Sequence, residues 1–370
     1  MMTVRFGIIG VGNIGSAHAK TLYENKVEGA VLTALCDIDP QKREWAKQVF
    51  PGVEIFGTAE EFFEKSDVQA VILSVPHYFH PPYAILGFQK GMHVLTEKPA
   101  GVQGSAVEAM NRAAEESGKI FGIMFNQRTD PLYGEIRRMV QDGELGTPLR
   151  LLWEVTTWYR TQEYYDSGSW RATWTGEGGG VLMNQAPHQL DLLQWMFGMP
   201  QSVRAVCNVG KYHDIEVEDE ATLHLTYENG ATALFHTSTG EEQGVNRLEI
   251  VGTKKRIVAE GRQLTVYEKK NVLSQRVYED RGSQHVGILQ NFTDAIRKGT
   301  PLIAPGEEGI REASLCNAAY LSAWTDQTAA LPVDTARFDR LLEERKQNSH
   351  CKDKTGKTPS GEYIDRWKNA

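Results

Sequence analysis

Val4-Arg5-Phe6-Gly7-Ile8-Ile9-Gly10-Val11-Gly12-Asn13-Ile14-Gly15 lies near the amino terminus. Phe6, Ile8 and Ile9 form a short apolar run. Gly10, Gly12 and Gly15 follow in G-x-G-x-x-G spacing, and Ser16 to Leu22 continues as a helical pattern. Each glycine has a physical task at such a turn. The first permits a tight strand-to-helix turn, the second admits a pyrophosphate to the backbone, and the third lets the helix pack on the strand. N–H groups at the helix start, around Asn13 and Ile14, would hold the phosphates with help from the positive end of the helix dipole.

A second apolar run, Ala30 to Cys36, ends in Asp37, twenty-two residues beyond Gly15. An acid at about that distance accepts hydrogen bonds from the adenosine ribose and repels a 2′-phosphate, which favours NAD. Arg43 nearby leaves NADP possible. The plainer reading is that Asp37 or Asp39 caps the helix beginning at Pro40. Further on, Val71 to Val75 reads as a strand buried on both faces, and His93 to Thr96 and Ile120 to Met124 as the next strands. Helices near 81–90 and 104–117 separate them. Strands alternating with helices predict a doubly wound parallel sheet, a Rossmann domain over residues 1–125.

From Pro148 the pattern changes to β-rich segments at 149–159, 203–209, 221–227, 231–237, 248–251, 264–267 and 272–278, with one helical insertion at 187–197. Asn229-Gly230 marks a hairpin. The fold class is therefore α/β: the Rossmann domain plus a carboxy-terminal α/β domain, residues 126–335, with a large, mainly antiparallel open sheet. A helix and polar tail over 336–370 offer Tyr363, Ile364 and Trp367 as docking points.

Composition narrows the function. The 370 residues are 41% hydrophobic and 24% charged, with a net charge of −8. That balance argues against nucleic acid as a partner. No apolar run reaches transmembrane length and no export signal is visible, so a cytoplasmic protein is expected, with no membrane partner. Cys36, Cys207, Cys316 and Cys351 are widely spaced, which predicts reduced thiols and no metal site.

Three features carry chemistry. Glu97-Lys98-Pro99 follows the strand 93–96, at the sheet end where ligands bind in open α/β folds. A lysine beside a cationic nicotinamide exchanges protons near neutrality, whereas the plain alternative is a solvated lysine or one paired with Glu97. Gly178-Gly179-Gly180 precedes Pro187-His188, where His188 at the positive end of a helix is kept as a neutral base. Asp191 shares its face, although both residues could simply be caps. The glycines would allow close approach of a ligand. Finally Trp153, Trp158, Tyr159, Tyr164, Tyr165, Trp170 and Trp174, interleaved with Arg160 and Arg171, suit a polyhydroxylated ligand, with β-sheet packing or a subunit interface as the alternative.

These motifs, with 75–80, Asn126-Gln127-Arg128 and Trp170-Arg171, make a chain that resembles the glucose-fructose oxidoreductase, inositol dehydrogenase and rhizopine-catabolism (Gfo/Idh/MocA) family. The resemblance implies an NAD(P)-dependent dehydrogenase acting on a secondary alcohol of a sugar, polyol or sugar derivative, assembled as a homodimer or homotetramer. It implies that Lys98 and His188 are catalytic. Gly10, Gly12, Asn13, Ile14, Gly15 and Asp37 would hold the adenosine and pyrophosphate, and Ser74, Pro76, His80, Glu97, Lys98 and Gln127 the nicotinamide end. Lys98, Arg128, Tyr159, Trp170, Arg171, Asn184, His188 and Asp191 would read the substrate. Many family members have Asp where this chain has Asn184. A redox-neutral enzyme that recycles bound NAD, for elimination, epimerisation or glycoside cleavage, is therefore one alternative, and a non-catalytic sugar sensor is another.

Overall fold

The computed structural model describes residues 3–168 and 170–349. Tyr363, Ile364, Trp367 and Cys351 lie outside the described residues. In order, the elements of the first half are β1 (Val4–Ile9), α1 (Asn13–Tyr23), β2 (Ala30–Cys36), α2 (Pro40–Val49), β3 (Glu54–Phe56), α3 (Ala59–Lys65), β4 (Ala70–Leu73), α4 (His80–Gln89), β5 (His93–Thr96), α5 (Gly104–Ser117), β6 (Phe121–Ile123) and α6 (Pro131–Gln141). There follow β7 (Pro148–Val155), α7 (Gln162–Asp166), α8 (Val181–Asn184), α9 (Pro187–Phe197), β8 (Ser202–Val209), β9 (Glu218–Thr226), β10 (Thr232–Ser238) and β11 (Asn246–Gly252). The last are β12 (Lys255–Glu260), β13 (Gln263–Glu268), β14 (Asn271–Val277), α10 (Gln284–Lys298), α11 (Gly309–Thr325), β15 (Ala329–Ala330) and α12 (Thr335–Gln347).

The described residues divide into two compact units: 3–134 with 280–313, and 135–279 with 314–349. The first holds a six-stranded sheet in the order β3-β2-β1-β4-β5-β6, parallel throughout. The order reverses direction between β1 and β4, which is the crevice where ligands bind in such sheets. β4 is fully buried, as a strand covered on both faces must be. The unit is discontinuous, unlike the division expected at 125/126. Ile288, Leu289 and Phe292 of α10 are buried in the first unit's core, and Gly122 bridges to Pro305. Each such apolar side chain contributes about 1.5–3 kcal/mol, and that burial recruits 280–313 to the first unit.

The second unit carries a nine-stranded sheet, β14-β13-β12-β11-β7-β10-β9-β8-β15. Its pairings are antiparallel except β7 with β10. The Asn229-Gly230 hairpin forms as expected, with Gly230 at φ +81° and the Asn229 side chain accepting from Ala231 N–H. β12 is an addition to the sequence expectation. Lys254, Lys255 and Arg256 disguise its start, yet Ile257 is fully buried. α12 belongs to this unit rather than to a separate tail, because Phe338 is fully buried and stacks on Trp324.

Candidate functional site

In the first unit the glycine turn has the predicted form, and the three glycines separate by task. Gly10 has φ +92°, and a Cβ there would lie 2.3 Å from Ser74 O. A Cβ on Gly15 would lie 1.9 Å from Gly10 O. Both are required by packing. Gly12 is exposed, a Cβ there meets no atom within 4 Å, and it starts α1 with no side-chain cap. Exposed Asn13 and half-buried Ile14 follow it into the helix. Open space in front of uncapped N–H groups fits a pyrophosphate.

The capping question resolves residue by residue. Asp39 caps α2 by accepting from Gln41 N–H at 2.8 Å. Asp37 instead accepts from Val11 N–H at 2.7 Å and Asp39 N–H at 2.9 Å, so it is fixed against the glycine turn. Arg43 donates to the Asp37 and Ile38 carbonyls. Ser74, at the carboxyl end of β4, has a buried hydroxyl with no hydrogen-bond partner beside Gly10 and Gly15. These features fit a dinucleotide.

Beyond β5, Glu97 is buried and Lys98 half-buried; the Lys98–Pro99 peptide is cis. Glu97 pairs with His18 of α1, Nε2 to Oε1 at 2.7 Å, and its Oε2 accepts from Lys98 N–H at 3.3 Å. Nothing in the motif marked His18. Its signal was position: with Gly15, Ala19 and Leu22 it completes the buried stripe of α1. Gln127 sits half-buried in the turn Asn126–Thr129. Pro76 leads into the turn His77–Phe79.

Two expected ligand contacts turn out to be internal ties. His80 is 1% exposed, with Nδ1 2.7 Å from Pro99 O and Nε2 2.8 Å from Val75 O. Burial lowers its pKa despite those two carbonyls. It therefore joins the end of β4 to the Glu97-Lys98-Pro99 turn. Arg128 is likewise buried, donating to Glu308 at 2.5 Å and to Ile303 O at 3.3 Å. A buried guanidinium has to be paired, and here the partner comes from the segment before α11.

In the second unit, Trp153, Tyr165 and Trp174 are core residues. Trp153 bonds Asn246, Tyr165 bonds Thr239, and Trp174 packs edge-on to Tyr320 and Trp324. Half-buried Tyr159, Trp170 and Arg171 remain as candidates. Arg171 lies over the Trp170 and Tyr164 rings and donates to Tyr164 Oη at 2.8 Å.

In the glycine run leading to His188, packing requires Gly179 and Gly180. A Cβ on Gly179 would lie 2.0 Å from Tyr320 Oη, and one on Gly180 1.8 Å from Glu218 O. Glu218, fully buried, accepts from Gly180 N–H, from Leu182 N–H at 3.0 Å and from Tyr320 O–H at 2.8 Å. Burial pushes its carboxyl up to about 7 against those donors. His188 is half-buried directly after Pro187 at the start of α9, as expected. Asp191 is 1% exposed and accepts from Gln194. Asn184, the last residue of α8, donates Nδ2 to Glu177. Glu177, before α8, and Glu218, the first residue of β9, hold these segments, and their sequence neighbourhood did not distinguish them from ordinary acids.

Among the described residues no helix is long and apolar enough to cross a membrane, and no group of three His, Cys, Asp or Glu forms a metal site. The chain was compared with known proteins. Residues 4–125 match the family model for an oxidoreductase NAD-binding Rossmann fold, and residues 133–258 match the GFO/IDH/MocA C-terminal domain. A myo-inositol 2-dehydrogenase of Thermotoga maritima is 25% identical over 83% of this chain and 92% of its own length. The scyllo-inositol 2-dehydrogenase (NAD(+)) of Bacillus subtilis is 26% identical over 81% and 88%. The WlbA dehydrogenase of Bordetella pertussis, crystallised with NADH and UDP-GlcNAcA, superposes with a TM-score of 0.79 at 26% identity, covering 90% of this chain and 100% of that one. With both of its domains matched in order, this chain belongs to the GFO/IDH/MocA family of NAD-dependent oxidoreductases.

Proposed function

We propose that this protein transfers a hydride between a secondary alcohol of a sugar, polyol or sugar derivative and NAD, with Lys98 and His188 as its catalytic residues. The observation that carries the reading is the setting of Lys98. It lies at the carboxyl end of β5, next to a buried acid held by the helix that leaves the dinucleotide turn. Gly12, Asn13 and Ile14 would hold the pyrophosphate on the turn that Gly10 and Gly15 shape, and Asp37 would hold the adenosine ribose. Ser74, Pro76, Glu97 and Gln127 border the nicotinamide end. NAD, when bound, supplies the hydride acceptor. His188 removes the hydroxyl proton as general base, and the Lys98 ammonium stabilises the developing alkoxide. Tyr159, Trp170, Arg171 and Asn184 read the substrate. Asp191, inside α9, supports the helix that presents His188.

A panel of sugars, polyols and nucleotide sugars, each assayed with NAD and with NADP, tests this. NADH formation with one class is expected. Lys98→Ala should then lower turnover by about 10²–10⁴-fold while NADH still binds; near-normal turnover would remove Lys98 from the mechanism. Asn184 favours a second reading, in which NAD is retained and recycled. Stoichiometric NAD in the purified protein, with substrate conversion but no net NADH, would select it. The expected assembly is a dimer or tetramer through the open sheet, where Val206 and Leu234 are exposed. Light scattering would measure it. A cytoplasmic location accords with this chemistry.

A further inference from the structure

We infer that the Asn126 amide orients the cofactor: its Oδ1, kept as an acceptor by Gln284, receives an N–H of the nicotinamide carboxamide. The assignment rests on the dinucleotide reading of the first unit.

Asn126 opens the turn Asn126–Thr129 that follows β6. β6 pairs with β5, and Met124 N–H donates to Thr96 O at 2.9 Å, so this turn leaves the sheet beside Glu97 and Lys98. Ligands of open α/β sheets bind at these carboxyl ends. Gln284, the first residue of α10, precedes His285, whose ring packs 5.6 Å from that of His18, the partner of Glu97. Asn126 is 6% exposed, and among the described residues no donor reaches its buried Oδ1. A buried acceptor without a donor is costly and needs a reason.

The hydrogen bonds around Gln284 make the arrangement directional. Gln284 Nε2 donates to Arg281 O, which can only accept. Its Oε1 is therefore the arm that meets Asn126, and it accepts from Nδ2 at 2.6 Å. That leaves Asn126 Oδ1 on the other branch, as an acceptor that cannot exchange places with its own donor. Thr129 Oγ1 fixes both residues, accepting from Gln284 N–H at 2.8 Å and donating to Asn126 O at 2.8 Å. Together these bonds hold Gln284 at φ +46°, a left-handed backbone that is costly outside glycine. At the nicotinamide end, the carboxamide offers such an acceptor its amino group and is repelled if its oxygen turns inward. Asn126 thus selects one rotation of the carboxamide.

Calorimetric titration of the full chain with three reduced dinucleotides tests the assignment. They are NADH, its acetylpyridine analogue, in which a methyl replaces the carboxamide amino group, and its thionicotinamide analogue, which keeps the amino group and exchanges oxygen for sulfur. Wild type should bind the acetylpyridine analogue about tenfold more weakly than NADH. Asn126→Leu should weaken NADH and the thionicotinamide analogue by about that factor and leave the acetylpyridine analogue near its wild-type affinity. Its Tm should stay within a few degrees of wild type; if the leucine variant does not fold, Asn126→Ala makes the same comparison. Equal wild-type affinity for NADH and the acetylpyridine analogue, an unchanged ratio in the variant, or equal weakening of all three dinucleotides would each overturn the assignment alone. Wild-type protein that binds no NADH would overturn the dinucleotide reading and the assignment with it.

Discussion

Nε2 of His18 lies 2.7 Å from Oε1 of Glu97, and both side chains are buried. His18 sits on the helix that leaves the glycine turn, and Glu97 directly precedes Lys98. One contact therefore ties the helix of the glycine turn to the backbone beside Lys98, the proposed catalytic lysine. The His285 ring packs 5.6 Å from that of His18. Burial alone would raise the Glu97 pKa. The His18 hydrogen bond and the nearby charges of His18, His285 and Lys98 outweigh it and hold Glu97 at about 2.

Because the folded pKa of Glu97 is depressed from 4.5, its stabilising contribution is complete above about pH 4.5 and is lost as pH falls toward 2. Glu97→Gln should thus lower Tm clearly at pH 7, with the gap to wild type closing below pH 4.5. A calorimetric series from pH 7 to 3 measures it. A gap that stays constant would show that the pair contributes no ionic stabilisation.

Glu218 has the opposite sign. Its folded pKa, about 7, lies above the ordinary 4.5, so the fold binds a proton that the unfolded chain releases between those values. Stability falls as pH rises through that window, by about 3 kcal/mol at most. Glu218→Gln removes the titration. Its Tm relative to wild type should therefore rise between pH 5 and pH 7.5, and parallel curves would sink the idea.

Gly12 and Gly15 should respond differently to the same methyl group. A Cβ at Gly12 meets no protein atom, so Gly12→Ala should keep its Tm and bind NADH more weakly. At Gly15 the Cβ would enter the Gly10 carbonyl, so Gly15→Ala should lose Tm by several degrees. Equal NADH affinity in Gly12→Ala and wild type, by fluorescence titration, would remove Gly12 from the phosphate cradle.

Buried Arg128 pairs with half-buried Glu308. Arg128→Ala removes the buried side of this pair but leaves Glu308 with Arg311, and should cost about 1–3 kcal/mol of stability, while KM for the alcohol stays near wild type. A large rise in KM at unchanged Tm would return Arg128 to the substrate.

The Rossmann half was legible because its signals are local. Gly10 and Gly15 answer to backbone sterics within one turn, and β4 reads as buried from its β-branched run. The mixed sheet was less legible. β12 begins with charge, and the parallel β7–β10 pair joins Thr232 to Arg150, 82 residues apart, which no local pattern encodes. The site divides similarly. Lys98 and His188 announce themselves by following a strand and by opening a helix after Pro187. His80 and Arg128 carry equally suggestive side chains, but their partners Pro99, Val75 and Glu308 are distant or unmarked.

Local order of residues determined the dinucleotide turn, the alternation of strands and helices, and the two candidate catalytic side chains, because each depends on backbone geometry over a few residues. Tertiary structure decided which acid serves which group: Glu97 to His18, Glu177 to Asn184, Glu218 to the glycine run. A buried carboxylate must find donors wherever folding brings them, and their sequence separation leaves no pattern to read.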